Sequence, residues 1–257
     1  MFEFKRLSIL LVASALSANA MAADDWTGWY VGANAGYSHA HSEANVDLGG
    51  PWETFATPDQ NRRASSGLSP ELSPSGGQYG MQLGYDHAFG RFLLGGELSY
   101  DRMRMSDAHR TITTDLVPAQ TTVPMGYSID GEAEAEHELA ARLKLGYANG
   151  RHAAYGIFGV ARVDATFSAK IQSSVFYYYK TGRAAHQLSA MQLGAGYEYN
   201  FGNHWSLRTE LLRTKTENAS FKLGHTPGTG GWLMPFSEHL EQGLDYTTVR
   251  LGVNYRF

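Results

Sequence analysis

Ser38, His39 and Glu43 lie in one short stretch of the chain. A hydroxyl, an imidazole and a carboxylate are the parts of a nucleophilic hydrolase site, in which the imidazole takes a proton and the acid orients it. His39 and His41 offer a second chemistry. Residues at i and i+2 of a strand share a face, so joint coordination by two imidazoles is conceivable. Neither reading is supported by its surroundings. No recognisable signature encloses the Ser38, His39 and Glu43 group, and no third ligand follows the two histidines at a telling spacing. The stretch reads as an exposed loop edge and the chain as a non-enzyme without a cofactor. With no cysteine, thiol chemistry and disulfides are excluded.

A larger set of charges shares one pattern. Glu97, Asp101, Glu138, Asp164, Glu198 and Glu210, with Arg142, Lys144, Arg162, Arg208, Arg250 and Arg256, all fall on the less apolar parity of alternating segments. The C-terminal segment shows the alternation most plainly. Val249, Leu251, Val253, Tyr255 and Phe257 point one way, and Arg250, Gly252, Asn254 and Arg256 the other. A period of two with one apolar face is a half-buried strand. A last strand needs a pairing partner, and closing a barrel supplies one.

Eight such segments can be traced: 29–38, 78–87, 92–101, 138–147, 153–167, 190–201, 205–213 and 249–257. Each is about ten residues, the length of a tilted membrane strand. In the fifth, Tyr155, Ile157, Gly159, Ala161 and Val163 form the outward parity, with Arg162 and Asp164 opposite. Short connections hold Gly90, Asn149-Gly150 and Gly202-Asn203, and Asn-Gly is a hairpin signal. They alternate with long ones at about 39–77, 102–137, 168–189 and 214–244. Long and short in strict alternation predict an all-β, eight-stranded antiparallel up-and-down transmembrane barrel with four long external loops.

The apolar parity carries aromatics at two levels. Trp29, Tyr85, Phe92, Tyr147, Tyr155, Tyr199, Phe201, Trp205, Tyr255 and Phe257 lie near the short turns, and Tyr37, Tyr79, Tyr100 and Phe167 near the long ones. Aromatic girdles mark the interfaces of a membrane barrel. The charged parity then faces the lumen. Eight strands enclose only enough room for side chains, and a lone buried charge is costly unless paired. Glu97, Arg142, Lys144, Arg162, Glu198, Arg208, Glu210 and Arg250 are therefore expected to form a lumen charge network, not a wide channel. Inward glycines would relieve crowding in so tight a barrel.

Residues 1–22 read as a cleaved signal peptide, with Lys5 and Arg6, an apolar run over 7–16 and Ala20-Met21-Ala22. Residues 23–257 are then the barrel domain. Losing Glu3, Lys5 and Arg6 moves the net charge only from −4 to −5, and nothing suggests nucleic acid as a partner.

Trp26-Thr27-Gly28-Trp29-Tyr30-Val31-Gly32-Ala33-Asn34-Ala35-Gly36-Tyr37 resembles the opening strand of the small opacity-type outer-membrane proteins. These include surface antigens of the alpha-proteobacterial porin type and share the eight-stranded barrel of outer membrane protein A. Trp205-Ser206-Leu207-Arg208-Thr209-Glu210-Leu211 is similar to the family's aromatic-led strand with one inward glutamate. The end at Tyr255 and Phe257 resembles the signal read by the barrel-assembly machinery. The resemblance covers the mature chain in strand order and is specific in strands one, seven and eight. No peptidoglycan-binding domain is expected after the barrel. Some relatives bind haem and imidazole is a suitable ligand for its iron, so the resemblance implies His39 and His41 as weak haem candidates. Outer-membrane barrel enzymes place Ser–His–acid or Asp–His groups at the external rim, and their signatures are not found around Ser38, His39 and Glu43.

The resemblance implies the bacterial outer membrane. It implies a structural surface protein that stabilises the envelope and presents variable loops for adhesion or ligand contact, with a narrow porin or a haem or small-solute binder as the alternative. The implied partners are outer-membrane lipid and lipopolysaccharide, the barrel-assembly machinery, and host or surface ligands met through the loops. Phe176-Tyr177-Tyr178-Tyr179 is read as an extension of strands five and six with aromatics at the interface.

Overall fold

Long runs of alternating residues leave the backbone little choice but strand, and in the computed structural model almost every described residue is in one. The structure describes residues 26–50, 58, 65, 69, 71–116, 125–173, 178–225 and 237–257. Residues 1–22, and the Phe176-Tyr177 half of the aromatic run, lie outside them.

The strands are β1 (Gly28–Gly49), β2 (Glu71–Leu72), β3 (Ser75–Phe89), β4 (Phe92–Leu116), β5 (Met125–Asn149), β6 (His152–Ser173), β7 (Tyr178–Gly202), β8 (Trp205–Thr216), β9 (Ala219–Lys222), β10 (Gly224–His225), β11 (Ser237–Gln242) and β12 (Asp245–Arg256). Eight of them pair in the cyclic order β1, β3, β4, β5, β6, β7, β8, β12, with neighbours antiparallel. The ring closes where β1 pairs with β12, Tyr37 opposite Val249. Closure removes the exposed edges that a bilayer could not solvate.

Strand length departs from expectation. β4, β5 and β7 each run 25 residues, more than twice a membrane crossing. Much of the connections expected at 102–137 and 168–189 is barrel wall, not loop. The other two long connections also build wall. β2 pairs with β1 at Ser42 and Glu43. β11 pairs with β9 and with Ala44–Gly49 of β1, while β10 pairs with β7. The barrel therefore continues well above the membrane.

The opposite ends are tight. Gly90 and Gly150 sit at φ 63° and 58°, where L side chains are strained. Between β7 and β8 the turn positions are Asn203 and His204, both at positive φ, with Gly202 and Trp205 paired across them. Positive φ at both central residues is the hairpin geometry that matches strand twist.

The two faces exchange character with height. Near the short turns the outer face is apolar, as with Leu94, Leu98, Leu143, Phe158 and Leu251, and the inner face polar. Above it the interior becomes an apolar core of Val46, Met103, Ala133, Val163, Phe167, Ile171, Leu188 and Leu240. The outer face there carries Glu43, Arg102, Arg104, Glu132, Arg162 and Lys215, all exposed. The lower half obeys the rule for a bilayer and the upper half the rule for water.

This inversion corrects the reading of β6. Tyr155, Ile157, Gly159, Ala161 and Val163 face inward, and Gly156, Phe158, Val160 and Arg162 outward. Arg162 is not part of the lumen network, and Asp164 is likewise on the outside. Phe167, expected in the outer girdle, is 0% exposed inside the upper core. The sequence rule assumed one polarity along the whole strand. Arg162 and Asp164 made their parity look internal because they have already passed the membrane edge.

Candidate functional site

The lumen at membrane level is occupied by side chains from all eight ring strands. Glu97 of β4 stands at the centre. Its carboxylate accepts hydrogen bonds from Tyr30 Oη at 2.8 Å, Arg142 Nη1 at 3.3 Å and Arg250 Nη2 at 3.2 Å, and both its oxygens accept from Arg208. Glu210 accepts from Arg250 Nε at 2.5 Å and from Tyr155 Oη at 2.8 Å. Three guanidinium groups converge on two carboxylates, so each charge has compensation at side chains closed off from bulk solvent.

The network spreads toward both ends. On the outer side, Arg142 donates to Glu138 at 2.8 Å, to Gln192 at 2.7 Å and to Ser99 at 2.6 Å, and Tyr246 donates to Glu138. On the periplasmic side, Lys144 lies 2.9 Å from Asp86, Arg256 Nη2 lies 3.0 Å from the same carboxylate, and Ser206 and Asn254 donate to Glu198. Trp26 then caps the base. Its indole Nε1 donates to the Gly150 carbonyl at 2.8 Å, and the Arg256 guanidinium lies 5.6 Å from its ring centre.

Of the expected lumen charges, Glu97, Arg142, Lys144, Glu198, Arg208, Glu210 and Arg250 are buried together in this plug. Arg162 stands outside it. Sequence reasoning missed Tyr30, Tyr155, Asp86 and Trp26. Two of these had a readable signal. Tyr30 is the register partner of Gly84, and Tyr155 of Gly196. A methyl group at Gly196 would stand 2.5 Å from the Tyr155 ring, and one at Gly84 would overlap the Tyr30 phenol. A tyrosine on one strand opposite a glycine on the next marks a ring lying across the neighbouring backbone.

Above the plug, the apolar core fills the outer barrel. The structure thus has two stacked stoppers, one ionic and one apolar. His39 and His41 face outward on β1 and are exposed, with His41 Nε2 3.9 Å from Glu71. Ser38 faces the other way and bonds Gln78 and Thr248, so Ser38, His39 and Glu43 do not converge. Tyr179 sits far above the aromatic girdle, with Lys170 Nζ 4.8 Å from its ring centre. The expected place at the membrane interface is therefore wrong, although Tyr178 and Tyr179 do extend the strand. Among the described residues no cluster of three metal-ligating side chains occurs.

Tyr255 and Phe257 lie on the lower girdle. Their rings meet edge to face at 5.5 Å, and Trp205 packs on Tyr255 at 5.1 Å. The Phe257 amide donates to the Trp29 carbonyl at 2.9 Å, across the seam where the barrel closes.

A closed eight-strand ring with an apolar outer belt, aromatic edges and a buried ionic interior defines an integral outer-membrane β-barrel. Residues 8–257 match the model of the outer membrane protein beta-barrel domain, and the chain belongs to that family. It is 28% identical to the 31 kDa outer-membrane immunogenic protein of Brucella melitensis over 100% of this chain and 95% of that protein. The same identity and coverage hold for the protein of that name from Brucella suis. Among solved structures it is similar to the Escherichia coli outer membrane protease OmpT, with 9% identity, a TM-score of 0.48 and 90% and 97% of the two chains covered. Neisserial surface protein A matches with 9% identity and a TM-score of 0.39, covering 90% and 98%.

Proposed function

We propose that this outer-membrane barrel is a structural surface protein. It ties the outer leaflet to a rigid extracellular tower and presents the tower for adhesion or ligand contact. The observation that carries the reading is the ion-paired plug centred on Glu97, with the apolar core stacked above it. A solute would have to break several buried ion pairs and then cross a packed apolar layer. Breaking one such pair costs about 3–5 kcal/mol. The outer wall, in contrast, is polar and exposed, which suits contact with macromolecules in water. The Brucella relatives are named as immunogenic, which supports a surface that host molecules reach. The chain works without catalysis in this reading.

Purified protein in planar bilayers should give no resolved single-channel steps. A deletion strain should become more sensitive to detergent, and soluble antibody should label the tower on intact cells. Stepwise conductance with wild-type protein would favour the narrow-pore alternative and sink this reading. A spectral shift with haem, lost when His39 and His41 are replaced, would favour the haem-binding one.

A further inference from the structure

The buried charges of the plug do not sum to zero. In its periplasmic half Lys144 and Arg256 face Asp86 and Glu198, two cations against two carboxylates. In its outer half Arg142, Arg208 and Arg250 face Glu97, Glu210, Glu138 and Asp101, three cations against four carboxylates. Higher in the barrel, Lys180 and Glu238 are paired with each other at 2.5 Å. One uncompensated negative charge in a closed interior is costly. The outer half of the plug therefore needs one more positive charge.

Asp101 is where the deficit falls. It is the register partner of Glu138, and like charges directly opposite on neighbouring strands repel. Arg142, Gln192 and Tyr246 all donate to Glu138. Asp101 has much less. Ser99 donates to its Oδ2 at 3.0 Å, and Arg250 Nη1 stands 3.7 Å from the same oxygen, too far for a hydrogen bond. Its Oδ1 accepts nothing among the described residues, although the residue is 0% exposed.

A second oxygen points to the same place independently of these charges. Gly80 follows Asp101 in its row of the barrel, and Asn34 follows Gly80. A Cβ at Gly80 would overlap Asp101 Oδ1, so the carboxylate lies over the glycine, toward β1. The Asn34 amide is oriented by a chain of bonds that starts at Glu198. A carboxylate only accepts, so Asn254 gives it an N–H at 3.1 Å. The Asn254 oxygen then accepts from Gln82 at 2.9 Å, and the Gln82 oxygen from Asn34 at 2.8 Å. Asn34 Oδ1 is left over, buried and without a donor among the described residues. Two unsatisfied acceptors thus flank one glycine.

We propose that Asp101 and Asn34 bind one monovalent alkali cation over Gly80. Oxygen donors suit hard cations, and a deficit of a single charge selects a monovalent one. A water that accepts from Arg250 Nη1, itself without an acceptor, and donates to both oxygens would satisfy the hydrogen bonds. It would leave the charge uncompensated. The apolar core above and the ion pairs below close the site off, so the ion enters as the barrel closes and is then retained. This binding site goes beyond the surface role, which stands whether or not the ion binds.

Protein purified from outer membranes is unfolded in urea and refolded into zwitterionic vesicles, in sodium chloride or in choline chloride of equal ionic strength. Urea titrations read the folding equilibrium constant. For wild type this constant should rise about in proportion to sodium above the dissociation constant, the slope of a single site. Barrels folded in sodium and passed into choline should keep about one sodium each, read by atomic emission. Asp101→Asn removes the charge and places an N–H donor beside Asn34 Oδ1. It should fold equally well in either salt and keep no sodium. Asn34→Ala should need at least about tenfold more sodium for the same gain. Glu43→Gln, which neutralises an exposed carboxylate of the outer wall, should behave like wild type. Heat-modifiable migration identifies the variants that have folded. Equal wild-type stability in the two salts with no sodium kept, the result that a water or a proton in that place would give, overturns the proposal. So does sodium kept by Asp101→Asn, an unchanged sodium dependence in Asn34→Ala, or a loss of that dependence in Glu43→Gln.

Discussion

Leu139 and Arg162 are register partners on β5 and β6, and between them the outer face of the barrel passes from hydrocarbon to water. Leu139 is 56% exposed and belongs to the lipid belt. Arg162, one strand over in the same row, is above it. Rows of paired residues run perpendicular to tilted strands, so each step to the next strand climbs by about 3 Å for 4.8 Å spacing and a tilt near 40°. One row can thus begin in lipid and end in solvent.

This climb ranks two lipid-face substitutions. Leu143, Phe158, Leu193 and Arg213 share a row. Leu143 lies toward the midplane, and Leu193 is already beside Arg213. Leu143→Arg should destabilise the barrel by about 2–4 kcal/mol, and Leu193→Arg by about 0–1 kcal/mol. Urea titrations of refolding into lipid vesicles measure both, and equal costs would contradict the assigned heights.

Glu97→Gln should be far worse than its size suggests. It removes the charge on which Arg142, Arg208 and Arg250 converge. Losing one member of a buried ionic group costs about 3–5 kcal/mol. The same titration reads this out, and a cost under about 1 kcal/mol would mean that the plug is solvated.

The upper barrel should respond as a soluble core does. Phe167→Ala should cost about 3–5 kcal/mol, since the ring is wholly enclosed by the apolar cluster. Arg162→Ala should stay within about 0.5 kcal/mol. If the ranking reverses, the inward and outward assignments of β6 are exchanged.

Phe257 should direct assembly. Its amide ties the last strand to Trp29 at the closing seam, and its ring ends the girdle. Deleting Phe257 should leave unfolded protein in the periplasm, seen as loss of the heat-modifiable band and of surface antigen. Normal surface levels in that variant would refute the role.

Topology can be read with tags. An epitope inserted at Ala64-Ser65 should stain on intact cells, and trypsin should cut there at Arg62 or Arg63. A tag at Asn149-Gly150 should stay hidden until the outer membrane is broken. Staining in the opposite order would invert the barrel and remove the basis for a tower outside the cell.

Alternation alone sufficed for the ring of eight and for the inward placement of Glu97, Arg142, Lys144, Arg208 and Arg250. In those strands the apolar parity within the membrane is unambiguous. It failed in β6 because both parities there are apolar at membrane depth, with Tyr155 and Ile157 against Phe158 and Val160. The charges that seemed to decide the matter, Arg162 and Asp164, belong to another solvent. Strand length was also illegible. Above the membrane the sequence grows polar and rich in alanine, which looks like loop. Only the pairing of β4 with β5 and of β6 with β7 shows it to be wall. The ionic partners of Glu97 are contributed by β5, β8 and β12. Such a meeting is a property of closure and is written in no single segment.

The exchange of inner and outer character along each strand bears on how the surface can change over generations. In the tower every second residue faces water and touches little else. Substitutions at Glu43, Arg104, Glu132, Thr166 or Gln187 would carry almost no folding penalty. Their neighbours Ala44, Met105, Ala133, Phe167 and Leu188 are held by packing. Sequence change can therefore rewrite a whole wall, one alternate residue at a time, and not the hairpin tips alone. The water-facing surface and the scaffold are interleaved in one strand, with a period of two between what is free to drift and what is fixed.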